Sequence, residues 1–434
     1  MNAPFTPPSH SLPGPHDVLR TQLSNGITLL VRRNPASPSV VIGGYLEAGA
    51  LFDPPEKLGL ADFTASALLR GTETRTFRQI FDLLESNAAS LGFSASTHMV
   101  NFSGRALAGD LSLLLDLLAD ALFHPIFPSE EIERLRAQFL TRLAIRAQDT
   151  ADMAALTFDQ ILFEGHPYSQ PEDGWPETIQ ALQREDLVAF HRRCYGPRNM
   201  VLAVVGAVDS LQVVEQVEAF LGSWQNPAQQ PAPSLPPFQP LERLTRRDVF
   251  IPGKSQSDIV LGGPGPRRAD PDFMSAALGN SILGQFGLGG RIGETVREKS
   301  GLAYYASSSL NAGVGPGSWE AAAGVNPKNV EKTIHLLVKE IRRFVQQGVS
   351  PEELADSQSQ FIGRLPLSLE SNQGVLNALL NIERYGLGLD YYQRYADLVR
   401  AVTVEQVVET ARRYLDPERL AIAVAGPHES TLKE

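Results

Sequence analysis

The sequence predicts an α/β protein built of two homologous domains, and three features predict it. The first is length: 434 residues exceed one ordinary hydrophobic core, so two domains are expected. The second is the run 224–242, rich in Pro and Gln, which fits neither a helix nor a central strand and reads as a semi-rigid linker. The third is an internal repeat. Ala181, Glu185, Val188, Arg192, Arg193, Pro197, Ala203, Val204 and Gly206 fall on Ala401, Glu405, Val408, Arg412, Arg413, Pro417, Ala423, Val424 and Gly426, a shift of 220 (401 − 181). A shift of 222 places Glu130 and Glu131 on Glu352 and Glu353, beside Pro128 and Pro351. Charged, Pro and Gly positions agree along with apolar ones, which favours duplication over chance.

Taken in order, residues 1–17 read as a disordered lead and 18–223 as the first domain. Ser24-Asn25-Gly26 is a hairpin turn, followed by a strand at Ile27–Val31 and another at Val40–Ala48. Helices are expected over Gly59–Leu69 and Phe77–Leu91, then strand material over Phe93–Leu107. Helices over Leu111–Leu122, from Pro128 to about Gln148, Ala151–Phe163 and Arg184–Cys194 lead to a buried strand at Met200–Gly206. The second domain, 243–434, resumes with strands at Asp248–Ile251 and Ser257–Leu261 and helices at Phe273–Leu283 and Arg291–Lys299. Strands at Leu302–Leu310 and Ser318–Gly324, four or five helices from Asn329 to Tyr414, and a strand at Leu420–Ala425 complete it.

Composition narrows the function classes. A net charge of −11 argues against nucleic acid or an anionic membrane as partner, since both need basic patches. The single cysteine, Cys194, excludes an intrachain disulfide and a Cys-based zinc cluster. No stretch approaches the ~20 apolar residues of a membrane span, and no basic-then-apolar leader opens the chain, so a cytoplasmic location is expected.

Two stretches carry chemistry. Gly59-Leu60-Ala61-Asp62-Phe63-Thr64-Ala65-Ser66-Ala67-Leu68-Leu69-Arg70-Gly71-Thr72 reads from its residues alone as an amphipathic helix with Leu60, Phe63, Ala67 and Leu68 on the core side. Its frame resembles the metal helix of the pitrilysin/insulinase-type zinc peptidases, usually Gly-Leu-Ala-His-Phe-Leu-Glu-His. There two His a helical turn apart bind zinc and the Glu serves as general base. Here those positions are Asp62, Ala65 and Ser66. The resemblance also puts a distal Glu ligand within Gln138–Leu143, where Thr141 and Arg142 stand instead, and a cation at Arg142 opposes zinc. The resemblance extends through His166-Pro167-Tyr168 and the run from Tyr195 to Gly206. No two of the His residues (10, 16, 98, 124, 166, 191, 335 and 428) stand at i, i+3 or i, i+4; only a zinc site assembled from distant residues is left open. His166 reads as a loop residue beside Pro167, and His98 and His191 as structural or partly exposed.

The second stretch runs from Gly287, Gly289 and Gly290 through a helix with Arg297 in its last turn, to Gly301 as its stop and Tyr304 on a strand. By themselves Arg297 is a helix C-terminal cation and Tyr304 a strand aromatic. Arg297-Glu298-Lys299-Ser300-Gly301-Leu302-Ala303-Tyr304 matches in full the same family's Arg-Glu-Lys-x-Gly-Leu-Ala-Tyr. The resemblance implies that this Arg and Tyr reach a zinc site from the opposite domain and bond substrate or oxyanion; Gly287, Gly289 and Gly290 read as a flexible, substrate-binding stretch at the chamber mouth. It implies two domains, each a mixed, mostly antiparallel sheet covered by helices. It further implies no metal in this chain, zinc in a homologous partner subunit carrying His-x-x-Glu-His, and peptides or unfolded proteins as substrates. The alternative is a catalytically inert scaffold or peptide-holding relative.

Overall fold

The computed structural model describes residues 12–285 and 287–427. Strands are β1 Val18–Gln22, β2 Thr28–Arg33, β3 Ser39–Leu46, β4 Ser90–Ala95, β5 Val100–Leu107, β6 Val201–Gly206, β7 Thr245–Phe250, β8 Ser257–Gly265, β9 Ala303–Asn311, β10 Gly317–Val325 and β11 Ala421–Gly426. They form two sheets, β1-β2-β6-β3-β5-β4 and β7-β11-β8-β10-β9. With the extra edge strand β1 set aside, the two orders are the same. In each, only one pairing is parallel, β2 with β6 and β7 with β11. The central strands β6 (VLAVVG) and β11 (AIAVAG) are buried at every residue, as strands covered on both faces must be.

One face of each sheet packs on helices of its own half. The other face takes a helix from the opposite half. Thr150–Leu162 lays Ala154, Phe158, Ile161 and Leu162 against Val260, Ala421, Ala423 and Ala425 of the second sheet and Ile251 just beyond it. Asn372–Tyr385 lays Val375, Leu376, Leu379 and Ile382 against Leu30, Val41, Tyr45, Val201, Ala203 and Val205 of the first. The two helices start 222 residues apart (372 − 150), the shift already read from the Glu pairs. The exchange is tied at its rim by Arg20, whose guanidinium donates to both carboxylate oxygens of Glu383 at 2.6 and 3.1 Å.

Several boundaries differ from expectation. The Phe77 helix ends at Ser86, and Leu91 belongs to β4. Asn87 and the positive φ of Ala88 break the helix, which no Gly or Pro announces. The expected single stretch at Phe93–Leu107 is a hairpin, β4 and β5. Helices Pro176–Ala181 and Ser210–Leu221 are additional to those expected. Residues 12–17 of the expected disordered lead are packed: Leu12 is buried, and Gly14 lies so close to Gln393 that a Cβ would collide with it. Residues 1–11 of that lead lie outside the described residues. The Pro/Gln run has neither helix nor strand and lies fixed on the surface. Gln229 is buried and exchanges amide bonds with the Arg198 backbone at 3.1 and 3.2 Å, and Phe238 packs edge-on to Phe163.

Candidate functional site

Helix Leu60–Ala67 begins where Gly59 turns with a φ of 91°, and Asp53 caps it by accepting from Gly59 N and Ala61 N at 2.9 and 3.0 Å. Burial pushes the Asp53 carboxyl up to about 8 despite those bonds. Leu60, Ala61, Phe63, Thr64, Ala65 and Ala67 are buried, and the Phe63 ring packs on Phe139 at 4.9 Å between centroids. Asp62 leaves this face toward a cavity of about 1040 Å³.

At Asp62 the sequence-derived positions meet. Arg142, on helix Ser129–Arg146, donates from Nη2 to Asp62 Oδ2 at 2.7 Å. Its guanidinium lies over the Phe139 ring at 4.2 Å. Asp173 stands behind it, 3.9 Å from Arg142 Nε and paired with Arg146. Burial raises the Asp62 carboxyl, and the Arg142 bond and charge pull it back without cancelling the rise. Ala65 is core, with no donor to offer, and Ser66 is half-buried on the helix. Thr141 does not join this group: it is exposed, and its hydroxyl donates back to Ala137 O at 2.8 Å. The donor set does not fit zinc. Three protein ligands are needed; of the positions the resemblance assigns to metal only Asp62 offers an oxygen, it is bonded to Arg142, and the nearby Asp173 is held by Arg142 and Arg146.

The cavity lies between the halves. Its walls carry Asp159 from the exchanged helix, His98 from the β4–β5 turn, Asn311 at the end of β9 and Val314 of the β9–β10 turn. His98 hydrogen-bonds Tyr168, whose hydroxyl burial pushes up to about 12. His166 is a loop residue beside Pro167, as expected, and is buried there; its Nδ1 accepts from Tyr168 N at 3.2 Å. His191 is half-buried; its Nε2 bonds Leu122 O at 2.9 Å, and desolvation of the ring lowers it to about 4. Burial, then the nearby Glu320 and Glu172, push Asp159 up to about 7. Asp159 and Glu320 were missed because they meet only after the helix exchange, which no local pattern displays.

Arg297 and Tyr304 do not line this cavity. Their segment is a single α-turn, Gly290–Ile292, continued by a π-helical turn, Gly293–Glu298. Such turns concentrate at functional sites. Arg291 anchors it by a two-pronged bond to Glu353 at 2.7 and 2.6 Å. Gly301, with a φ of 62°, closes it through Gly301 N to Arg297 O at 3.0 Å. Arg297 Nε donates to Glu298 at 2.8 Å. Tyr304 is the extra residue of a bulge on edge strand β9: Ala303 pairs Val325 and Tyr305 pairs Gly324. Bulges re-aim side chains, and Tyr304 is 69% exposed while Tyr305 donates its hydroxyl to Asp258 at 2.6 Å. No hydrogen bond joins Arg297 to Tyr304 among the described residues. Of the glycines, Gly289 and Gly290 are required by space as well as φ, since a Cβ would meet Ala306 O and Ile282 O, each at 2.5 Å; Gly287 is open.

Known proteins share both halves. The family described as insulinase (peptidase family M16) matches residues 28–170, and the peptidase M16 inactive domain matches 181–361. An uncharacterized zinc protease of Mycobacterium leprae is 28% identical over 95% of this chain and 92% of its own. A crystal structure of a peptidase M16 inactive domain from Pseudomonas fluorescens superposes with a TM-score of 0.88 at 25% identity, covering 95% of this chain and 98% of that one. A protease from Helicobacter pylori has the same fold, with a TM-score of 0.88 at 18% identity over 96% of this chain and all of its own. No described helix is long and apolar enough to cross a membrane. The chain belongs to the M16 peptidase family, whose inactive-domain model covers 181–361, from the end of the first half into the second.

Proposed function

We propose that this chain is the non-metal subunit of a heteromeric zinc peptidase. It closes a peptide chamber against a homologous subunit carrying His-x-x-Glu-His, and it lends Arg297 and Tyr304 to that subunit's site. The observation that carries the reading is the Arg142–Asp62 pair, a cation built into the place where the family resemblance puts metal ligands. The second support is the bulge that turns Tyr304 outward, away from the chain's own cavity. A guanidinium and a phenol are hydrogen-bond donors suited to a substrate carbonyl gaining negative charge. Zinc, when bound in the partner, supplies the Lewis acid; this chain's residues orient the peptide and stabilise that charge.

The test is hydrolysis of a quenched fluorescent peptide with zinc, by this chain alone, by a homologous His-x-x-Glu-His subunit from the same organism, and by the two mixed. Activity only in the mixture is expected, with Arg297→Ala or Tyr304→Phe each lowering kcat about 100- to 1,000-fold. A partner fully active alone, unchanged by this chain, would leave the scaffold reading.

A further inference from the structure

We propose that the chain has a peptide-carboxylate site of its own, between the outer strands of the first sheet and the exchanged helix Asn372–Tyr385, with Arg384 as its anion anchor. It is separate from the Arg297–Tyr304 surface and does not depend on a metal partner.

A cavity of about 600 Å³ lies there, within the size range of small-ligand sites. Its lining contains no acidic residue, and Arg384 is its one charged side chain. Asn101, Gln373, Asn377 and Asn381 surround it with amides, groups that both donate to and accept from a peptide main chain. Arg384 stands where this cavity meets the larger one beside Asp62, since it lines both.

The state of Arg384 is the second observation. Its Nη2 donates to Asn101 Oδ1 at 2.6 Å and its guanidinium covers the Tyr45 ring at 4.7 Å. Its Nε is buried with no hydrogen-bond partner. Among the described residues it forms no ion pair, because the adjacent carboxylate, Glu383, is taken by Arg20. A buried donor without a partner costs free energy, and a planar guanidinium is shaped for a carboxylate. The floor is also open. Leu91 points into the first half's own core, so Gly92, its neighbour on edge strand β4, faces the exchanged helix. A Cβ on Gly92 would meet nothing within 4 Å. Glycine in a strand marks a surface that another backbone can approach closely. An extended peptide ending in a carboxylate matches these features: main chain over Gly92, amides alongside, carboxylate on Arg384.

The site is tested on the whole chain, without partner, by calorimetric titration with three Ala/Ser/Gly hexapeptides. One has a free C-terminus, one is amidated, and one is amidated with an internal Glu. The free-carboxylate peptide is expected to bind at least tenfold more tightly than the amidated one. Arg384→Gln should erase that preference, Arg384→Lys should keep part of it, and Gly92→Leu, which fills open space, should weaken every peptide that binds. Recovery of affinity with the internal Glu would mean that an acidic side chain also serves as the anion; no recovery would assign the site to C-termini. Equal binding of free and amidated peptides, no binding of either, or a preference that survives Arg384→Gln would overturn the proposal.

Discussion

At Asp62 a single ion pair stands where the family resemblance places a metal. Arg142→Ala removes the cation and leaves a largely buried carboxylate with only a backbone N–H from Ala95. A loss of roughly 1–3 kcal/mol is expected, read by urea unfolding. Asp159 makes the opposite prediction. Its folded pKa is raised to about 7, so the unfolded chain gives up the proton first as pH climbs from about 4. Stability therefore falls as pH rises through that window, and the cost is complete above about 7. Asp159→Asn should stabilise the protein at pH 8 by ~1–3 kcal/mol, and the gain should vanish near pH 4. An effect of equal size at both pH values would contradict this account. At this scale the sequence was informative where chemistry is local: Asp62, Ala65, Ser66 and Arg142 were readable against a known frame. Asp159 and Arg384 were not, since each acquires its role from a sheet in the other half.

The elements that carry Arg297 and Tyr304 depend on irregularities. The turn is π-helical rather than the plain helix the spacing implies, and it follows two glycines held at positive φ, Gly289 at 107° and Gly290 at 56°. Gly290→Ala adds a Cβ 2.5 Å from Ile282 O and 2.8 Å from Gly284 N, backbone atoms that cannot step aside. A destabilisation on the order of 1–3 kcal/mol is expected, visible as a lower thermal midpoint. Gly287→Ala meets nothing within 4 Å, and strain at its φ of 58° alone should cost less, about 1 kcal/mol. Glycine enrichment was legible in the sequence as a loop; what was not legible is that Gly289 and Gly290 serve packing rather than flexibility. The bulge at Tyr304 was equally hidden, because strand alternation alone cannot show an unpaired residue.

The whole molecule is two copies of one sheet, each capped by the other's helix. The repeat and the shift of 222 were visible in the sequence, and the exchange was not, since spacing says that two elements correspond but not which sheet each covers. The exchange makes the halves interdependent. Leu379 is fully buried on the first sheet though it belongs to the second half. Leu379→Ala should cost about 2–5 kcal/mol and lower one common unfolding transition in calorimetry. Two separated transitions, with only one moved, would show that the halves unfold independently.

The proposed function divides labour between subunits, with metal in one and Arg297 and Tyr304 in the other. The most direct measurement is zinc content, by atomic emission, of this chain purified alone and of its complex with the His-x-x-Glu-His partner. No bound zinc is expected in the chain alone, and one zinc per heterodimer, unaffected by Arg142→Ala. One zinc per copy of this chain, lost in Asp62→Ala, would contradict that division.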